Sequence, residues 1–179
     1  MPHPPETSTD LLRLALEAHR EEYRDLSDTW RNLDGKAQGS GAIAGIFLAA
    51  VFAWARQAPA GAGGLEKVLL CTSIVLLVAS VVAAVLALQV RTVSAPPLGD
   101  ETGDMIRDLL RPENAHELPD RVPLLFQDQI RAWRDTNRDM AEKNQGKAGR
   151  VWGSQVALLA AACVVAALTV MAVLGGLGR

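Results

Sequence analysis

The residue types that most often do chemistry are few in this chain and do not cluster along it. Its three histidines, His3, His19 and His116, are scattered, and no His–Glu pair has the spacing of a helical metal motif. Two cysteines, Cys71 and Cys163, lie inside apolar runs, where a thiol usually acts as a small apolar filler. We therefore expect no catalytic centre, no metal site and no cofactor, and we predict that the protein is not an enzyme.

Three long stretches without charge dominate the sequence instead. They hold 19, 23 and 28 residues, and their bounding charged residues are Lys36 and Arg56, Lys67 and Arg91, and Arg150 and Arg179. A helix needs about 20 apolar residues to cross the hydrocarbon of a bilayer. The pattern predicts three transmembrane helices, the first of them an uncleaved anchor. The uncharged stretches themselves contain no Asp, Glu, Lys, Arg or His, which argues against a pump or a secondary transporter.

Amphipathic helices are predicted directly before the first and third spans. In both, seam residues recur at alternating spacings of four and three, which is typical of coiled coils. The seam residues include Leu26, Trp30 and Leu33 in the first helix and Ile130, Trp133 and Asn137 in the second. Neither helix can bury its seam alone, so we expect the two to pair, in parallel because their spans run the same way. A seam asparagine either fixes the register of a buried pair or marks where the seam turns to solvent.

The fold prediction is an all-α integral membrane protein with three transmembrane helices and long cytoplasmic helical extensions of the first and third. Glycines at 35, 39 and 41 are the points where the first helix is most easily bent. The predicted segments, in chain order, are a disordered tail (1–9), a cytoplasmic amphipathic helix (10–37), the first span (38–56), an outer turn (57–65), the second span (66–90), a cytoplasmic linker with a short helix (91–122), a second cytoplasmic amphipathic helix (123–149), the third span (150–175) and an outer tail (176–179).

The distribution of lysine and arginine predicts the orientation. Fifteen of the 18 lie before the first span or between the second and third, and three lie on the opposite side. The positive-inside rule then puts the amino terminus and the long linker in the cytoplasm and the carboxyl terminus outside. The net charge of −2 gives no attraction to nucleic acid, so we expect no nucleic-acid partner.

Small residues recur at every fourth position in the first and third spans. They are Gly41, Gly45 and Ala49 in the first and Gly149, Gly153 and Ala157 in the third. Such a face lets two helix backbones approach closely in lipid. It serves either self-association, which would make a homo-oligomer, or packing inside one protomer.

A short repeat precedes the first and third spans. Aligned without gaps, residues 28–40 and 135–147 are identical at six of thirteen positions. The two copies are either a parallel internal repeat or two similar juxtamembrane helices without common ancestry.

The stretch Leu33-Asp34-Gly35-Lys36-Ala37, which opens straight into a span, resembles the Asp-x-Lys-Ala motif of small bacterial membrane effectors in cyclic-nucleotide antiphage systems, the Pycsar-type transmembrane effectors. In this chain Asp34, Lys36 and Ala37 carry the motif. The third span, preceded by Lys147-Ala148-Gly149-Arg150, is similar in layout. A related family of small effectors with two spans and a helical cytoplasmic part is comparably close. We recognise no nucleotide-binding domain in the chain.

The resemblance implies a membrane protein that oligomerises on a cytoplasmic signal and damages the inner membrane. The signal would be a cytoplasmic protein partner or a second messenger. The alternative is a membrane-anchored helical scaffold without catalytic or pore activity, in which the spans only hold the cytoplasmic helices in place. An effector depends on its Gly and Ala faces, whereas a scaffold depends on its cytoplasmic seam.

Overall fold

Long helices account for nearly all of the chain that the computed structural model describes, namely residues 8–57, 63–89, 103–104, 106–108, 111 and 118–176. These helices are α1 (Ser8–Gln57), α2 (Gly64–Leu88) and α3 (Leu118–Gly176). No strand occurs in the described ranges, so the all-α prediction is confirmed there. All three helices are long and apolar enough to cross a membrane, which indicates a membrane-associated multi-pass protein.

Several predicted segments lie outside the described residues. These are the tail at 1–7, most of the outer turn at 58–62, most of the linker at 90–102 and 112–117, and the last residues at 177–179. Within the linker, Gly103, Asp104 and the residues from 106 to 108 are helical, in the place where a short helix is predicted.

Both amphipathic segments join their apolar segments without a break in the helix. Helix α1 continues through Gly35, Gly39 and Gly41, and no residue there has a positive φ. The predicted borders at 37 and 149 are therefore changes of composition inside one helix. Helix α3 begins at Leu118, earlier than the sequence suggests, and includes Pro123. Pro123 is the sixth residue of α3 and removes one backbone donor from its second turn.

The described chain divides into two compact units. Unit 1 consists of Met1–Trp30 and Arg91–Asn144, and unit 2 consists of Arg31–Val90 and Gln145–Arg179. Unit 1 thus holds the amphipathic parts of α1 and α3. Unit 2 holds their apolar parts together with α2.

Unit 2 is a bundle of three helices with a core of small and medium apolar side chains. One cluster joins Ala44 and Val51 of α1 to Leu77 of α2 and Ala161 of α3. A second joins one residue from each helix, Ala37, Ala87 and Val151. Small side chains at these positions bring the helix backbones close together, which gains dispersion contacts between them.

Helix α2 packs through a seam that our sequence analysis did not identify. Its buried residues alternate at spacings of four and three: Ser73, Leu77, Ser80, Ala84 and Ala87. Because Ser73 and Ser80 interrupt the apolar run, the pattern is not evident from the apolar residues alone. The opposite face of α2 exposes large aliphatic side chains, among them Val75, Val78, Val82 and Val85. Contiguous exposed apolar surface of this kind is typical of a face that meets lipid.

Candidate functional site

A buried ion pair joins α1 to α3 in unit 2. The Nζ of Lys147 lies 2.6 Å from Oδ1 of Asp34, and the lysine side chain is only 5% exposed. Asp34 is about one-third exposed, so water still reaches the carboxylate. Removing either partner of such a pair leaves a charge with poor solvation, which costs far more than the intact pair contributes. The pair therefore acts mainly to fix how α1 and α3 meet just before their apolar segments.

Reciprocal serine hydrogen bonds join α2 to α3 in the core of unit 2. The Oγ of Ser80 donates to the carbonyl of Ser154 at 2.9 Å, and the Oγ of Ser154 donates to the carbonyl of Ser80 at 2.9 Å. Both serines are fully buried. Two hydroxyls that bond backbone carbonyls of the facing helix require close approach and one register. This contact stabilises α2 against α3 where there is no water to compete.

Arg150 of α3 caps the carboxyl-terminal end of α2. The Nη1 of Arg150 donates to the carbonyl of Leu86 at 3.1 Å. Leu86 lies in the last turn of α2, where backbone carbonyls have no partner within the helix. A cation at a helix carboxyl terminus also interacts favourably with the helix dipole. Arg150 thus combines a positive charge at the end of the α3 apolar segment with a cap for α2.

Unit 1 is held by asparagines that reach from α3 to the backbone of α1. The Nδ2 of Asn137 donates to the carbonyl of His19 at 2.9 Å, and the Nδ2 of Asn144 donates to the carbonyl of Leu26 at 2.8 Å. Both pairs are separated by 118 positions. A constant separation over one heptad means that the two helices run parallel, so the predicted pairing is confirmed within the protomer.

The two asparagines are incompletely satisfied. Asn137 and Asn144 are 3% and 5% exposed, and within the described chain their Oδ1 atoms are buried and accept no hydrogen bond. A buried polar atom without a partner costs about 1–3 kcal/mol. The asparagines therefore lower the stability of the helix pair and, in exchange, specify its register. Of the two readings of a seam asparagine, the buried one is correct.

Aromatic and charged groups flank the asparagines in unit 1. Trp133 meets Tyr23 edge to face, with ring centroids 5.5 Å apart, and the guanidinium of Arg20 lies 5.9 Å from the Trp133 ring centroid. The carboxylate of Glu22 accepts from Asn137 at 2.8 Å and contacts Nδ1 of His19 at 3.2 Å. The hydrogen bond from Asn137, and then that from His19, holds the pKa of Glu22 below its ordinary value.

The predicted seam residues take the positions expected of them. Leu26, Trp30, Leu33, Ile130 and Trp133 are half-buried and Asn137 is buried. Leu26 lies opposite Asn144, however, and Trp133 lies against Tyr23 and Arg20, so the two are not at the same level of the pair.

The predicted small-residue faces divide between two roles. A Cβ added to Gly41 would lie 3.5 Å from Cβ of Ala84, so Gly41 packs against α2 inside the protomer. Nothing lies within 4 Å of a Cβ built on Gly45, Gly149 or Gly153. Gly45, Ala49 and Gly149 are exposed, and Gly153 and Ala157 are half-buried. Packing within one chain therefore explains why position 41 holds a small residue, but it does not explain Gly45 and Ala49.

The residues of the juxtamembrane motif also separate. Ala37 is fully buried in the second core cluster, Asp34 pairs with Lys147, and Lys36 is exposed. The copies of the short repeat are not equivalent either, because Thr136 is buried while its counterpart Thr29 is exposed. The helix pair in unit 1 matches residues 118 apart, whereas the repeat relates residues 107 apart.

Comparison with protein-family models, with curated proteins and with solved structures finds no match to this chain. The site must therefore be interpreted from its own geometry. Its groups hold helices in register: an ion pair, two reciprocal serine bonds, a helix cap and two asparagines. Sequence reasoning did not predict which residues Lys147 and Ser154 contact. The heptad spacing of Ser73 and Ser80 in α2 is the signal that would have found the serine contact.

Proposed function

We propose that this chain is an effector of the bacterial inner membrane, which oligomerises on a cytoplasmic signal and perturbs the membrane as part of antiphage defence. The observation that carries the proposal is the buried Asp34–Lys147 pair, which ties α1 to α3 where each helix turns from polar to apolar. Both helices pass through this point without interruption. In this proposal, a change in how the polar segments pair alters the Asp34–Lys147 contact and, through it, the packing of the apolar segments.

The exposed small face supports the oligomeric part of the proposal. Gly45, Ala49 and Ala53 follow one another at every fourth position of α1, and all three are exposed. Their side chains are not needed for packing inside the protomer. A second copy of the chain can approach this face closely, as small residues allow in lipid.

The cation distribution supports a cytoplasmic location for the polar segments of α1 and α3. A thiol reagent that cannot cross the membrane tests this orientation in intact cells. Both native cysteines are first replaced by alanine, and single cysteines are then placed at Gly63, where an added Cβ meets nothing, and at Gln127, which is exposed. We expect labelling at Gly63 and none at Gln127. The reverse result would invert the proposed orientation.

Expression in bacteria with a potential-sensitive dye tests the function itself, with and without a candidate second messenger or protein partner. We expect growth arrest and loss of membrane potential, both relieved by Gly45→Leu because the added side chain keeps the helices of two copies apart. Ala79→Leu is the matched control, since Ala79 is an exposed alanine of α2 outside the small face. Full polarisation and normal growth under every condition would contradict the effector proposal.

A membrane-anchored scaffold is the second candidate, and the ordered pairing of unit 1 favours it. Hydrogen bonds and aromatic contacts hold the polar segments together independently of α2. The scaffold predicts that unrelated membrane anchors can replace the three apolar segments without loss of activity. The effector predicts that this replacement abolishes the effect on membrane potential.

A further inference from the structure

Unit 2 contains a cavity of about 450 Å³ between the apolar segments of its three helices. Phe47, Val51 and Trp54 of α1, Leu70 of α2 and Leu168 of α3 contribute to its wall. The volume falls within the range of small-molecule sites, about 300–1,000 Å³, which are mostly apolar and often lie between the helices of bundles. Neither the packing of the bundle nor the proposed function explains why this space is left open.

The wall of the cavity is mostly apolar and favours an apolar guest. No charged side chain lines the cavity. The hydroxyl of Thr169, which does line it, donates its proton to the carbonyl of Val165 at 2.9 Å and so has no proton left to donate to a guest. An apolar cavity of this kind does not hold ordered water, because water needs several polar partners. The guest that fits is a hydrocarbon chain.

The rim of the cavity shows from which side such a chain enters. Val51 and Leu168 are buried, whereas Trp54 and Val173 are exposed, so the floor lies inside the bundle and the opening lies on its side. A cavity that opens sideways from apolar helices opens into the acyl chains of the bilayer, if the chain spans a membrane as proposed above. The surrounding lipid is then the guest present at the highest concentration.

The end of α1 offers groups for a lipid headgroup. Among the residues that the structure describes, no hydrogen-bond partner is recorded for the indole N–H of Trp54. Arg56 stands two residues further on, exposed in the last turn of α1. Tryptophan is enriched at the level of the headgroups, where its ring is apolar and its N–H is wet. An arginine at the same level pairs readily with phosphate.

We propose that the cavity binds one acyl chain of a membrane phospholipid, with the headgroup beside Trp54 and Arg56. The bound lipid fills the gap between α1 and α3 and becomes part of the packing of unit 2. This inference rests on the membrane-spanning part of the proposed function and not on the effector activity.

Trp54 provides a direct test, because bromine atoms on a lipid chain quench a nearby indole. The other three tryptophans are replaced as Trp30→Phe, Trp133→Phe and Trp152→Phe, and the full chain is purified in detergent without lipid. Phosphatidylcholine brominated in mid-chain is then added. We expect quenching of Trp54 that saturates near one lipid per chain. A second protein that keeps only Trp152, which is exposed and outside the cavity, should show quenching that grows with lipid fraction without saturating.

Filling the cavity provides the second arm. Ala50 and Ala172 both line it, and Ala50→Leu with Ala172→Leu should raise the half-saturating lipid concentration at least tenfold. Ala79→Leu with Ala166→Leu, an equal pair of changes at exposed positions outside the cavity wall, should leave it unchanged. A brominated alkane of the same length should bind more weakly than the phospholipid, because it lacks the headgroup.

Three results would overturn the proposal: Trp54 quenching without saturation, no effect of the filling substitutions, or equal binding of alkane and phospholipid. Absence of quenching together with crosslinking of Trp54→Cys between chains would assign the cavity to a second copy instead. Lipid binding is measured without effector activity, so a failed growth assay does not affect it. A chain that stays soluble without detergent would remove the membrane premise of both proposals.

Discussion

The Nζ of Lys147 and the Oδ1 of Asp34, 2.6 Å apart, form the contact that defines where α1 and α3 meet before their apolar segments. The two side chains differ in burial, because Lys147 is almost wholly enclosed while Asp34 is about one-third exposed. Because of this asymmetry, removing Asp34 and removing Lys147 should lower the free energy of unfolding by different amounts. Removing Asp34 leaves the enclosed ammonium of Lys147 with little water around it, whereas removing Lys147 leaves the carboxylate of Asp34 in contact with water.

The first prediction follows from that asymmetry. Asp34→Ala should destabilise unit 2 by about 3 kcal/mol, in the range for a buried pair that loses one partner. Lys147→Met should cost less, and the double variant should be more stable than Asp34→Ala alone. The free energy of unfolding in mixed detergent and denaturant, arranged as a double-mutant cycle, gives the coupling between the two residues. Lys36→Met, which removes an exposed lysine of α1 close to Asp34 in the sequence, is the control and should have little effect. Additive effects of the two substitutions would show that the ion pair does not couple the helices.

The unsatisfied asparagine oxygens give the second prediction. Asn144→Leu should stabilise the helix pair of unit 1 by about 1 kcal/mol, because it removes a buried acceptor that has no hydrogen-bond partner. It should also loosen the register, since the bond to the Leu26 carbonyl is lost. Thermal unfolding measures the first effect. Disulfide formation between cysteines placed at Leu26 and at successive seam positions of α3 measures the second. A less stable Asn144→Leu chain with an unchanged crosslinking pattern would contradict the argument.

Acid should weaken unit 1 through Glu22. Its pKa is lowered in the folded chain by the hydrogen bond from Asn137 and by His19. The unfolded chain therefore binds a proton more readily, so the stabilisation is fully present above the ordinary pKa of about 4.3. It is lost as the pH falls through the lower folded value. The Glu22 side chain is 56% exposed, so we expect less than about 1 kcal/mol.

The matched comparison for Glu22 is Glu17, an exposed glutamate of the same helix that pairs with Arg13. Glu22→Gln should reduce the loss of thermal stability between neutral and acid pH, and Glu17→Gln should leave it nearly unchanged. Melting temperatures followed by circular dichroism across that range provide the measurement. Equal pH profiles for the two variants would show that Glu22 does not cause the loss of stability in acid.

Two neighbouring glycines of α1 should respond differently to the same substitution. Gly41→Leu should lower the stability of the protomer by about 1–3 kcal/mol, because the larger side chain meets Ala84 of α2. Gly45→Leu meets nothing within the protomer and should instead reduce the oligomer mass in mild detergent. Light scattering after gel filtration gives the mass, and denaturant unfolding gives the stability. If Gly45→Leu leaves the oligomer mass unchanged, the small face of α1 does not mediate self-association.

The sequence by itself determined which residues face inward along α1 and α3. The alternating spacing of four and three predicted the named seam positions, from Leu26 in α1 to Asn137 in α3, because one stripe of a helix must be buried wherever two helices pair. It did not predict that Thr136 is also buried. Long runs without charge predicted the three apolar segments for an equally local reason. Whether a helical residue lies on the buried face follows from the pattern of apolar residues within a few turns of it.

Only the tertiary structure decided which residues meet. That Lys147 pairs with Asp34, that Ser80 and Ser154 exchange hydrogen bonds, and that Gly41 rather than Gly45 packs against α2 all depend on how far one helix slides along another. Periodicity is unchanged when a helix shifts by one heptad, so a pattern along one chain segment contains no information about that shift. The shift is set instead by the sum of close contacts and polar bonds across the helices, which exists only once they are packed together.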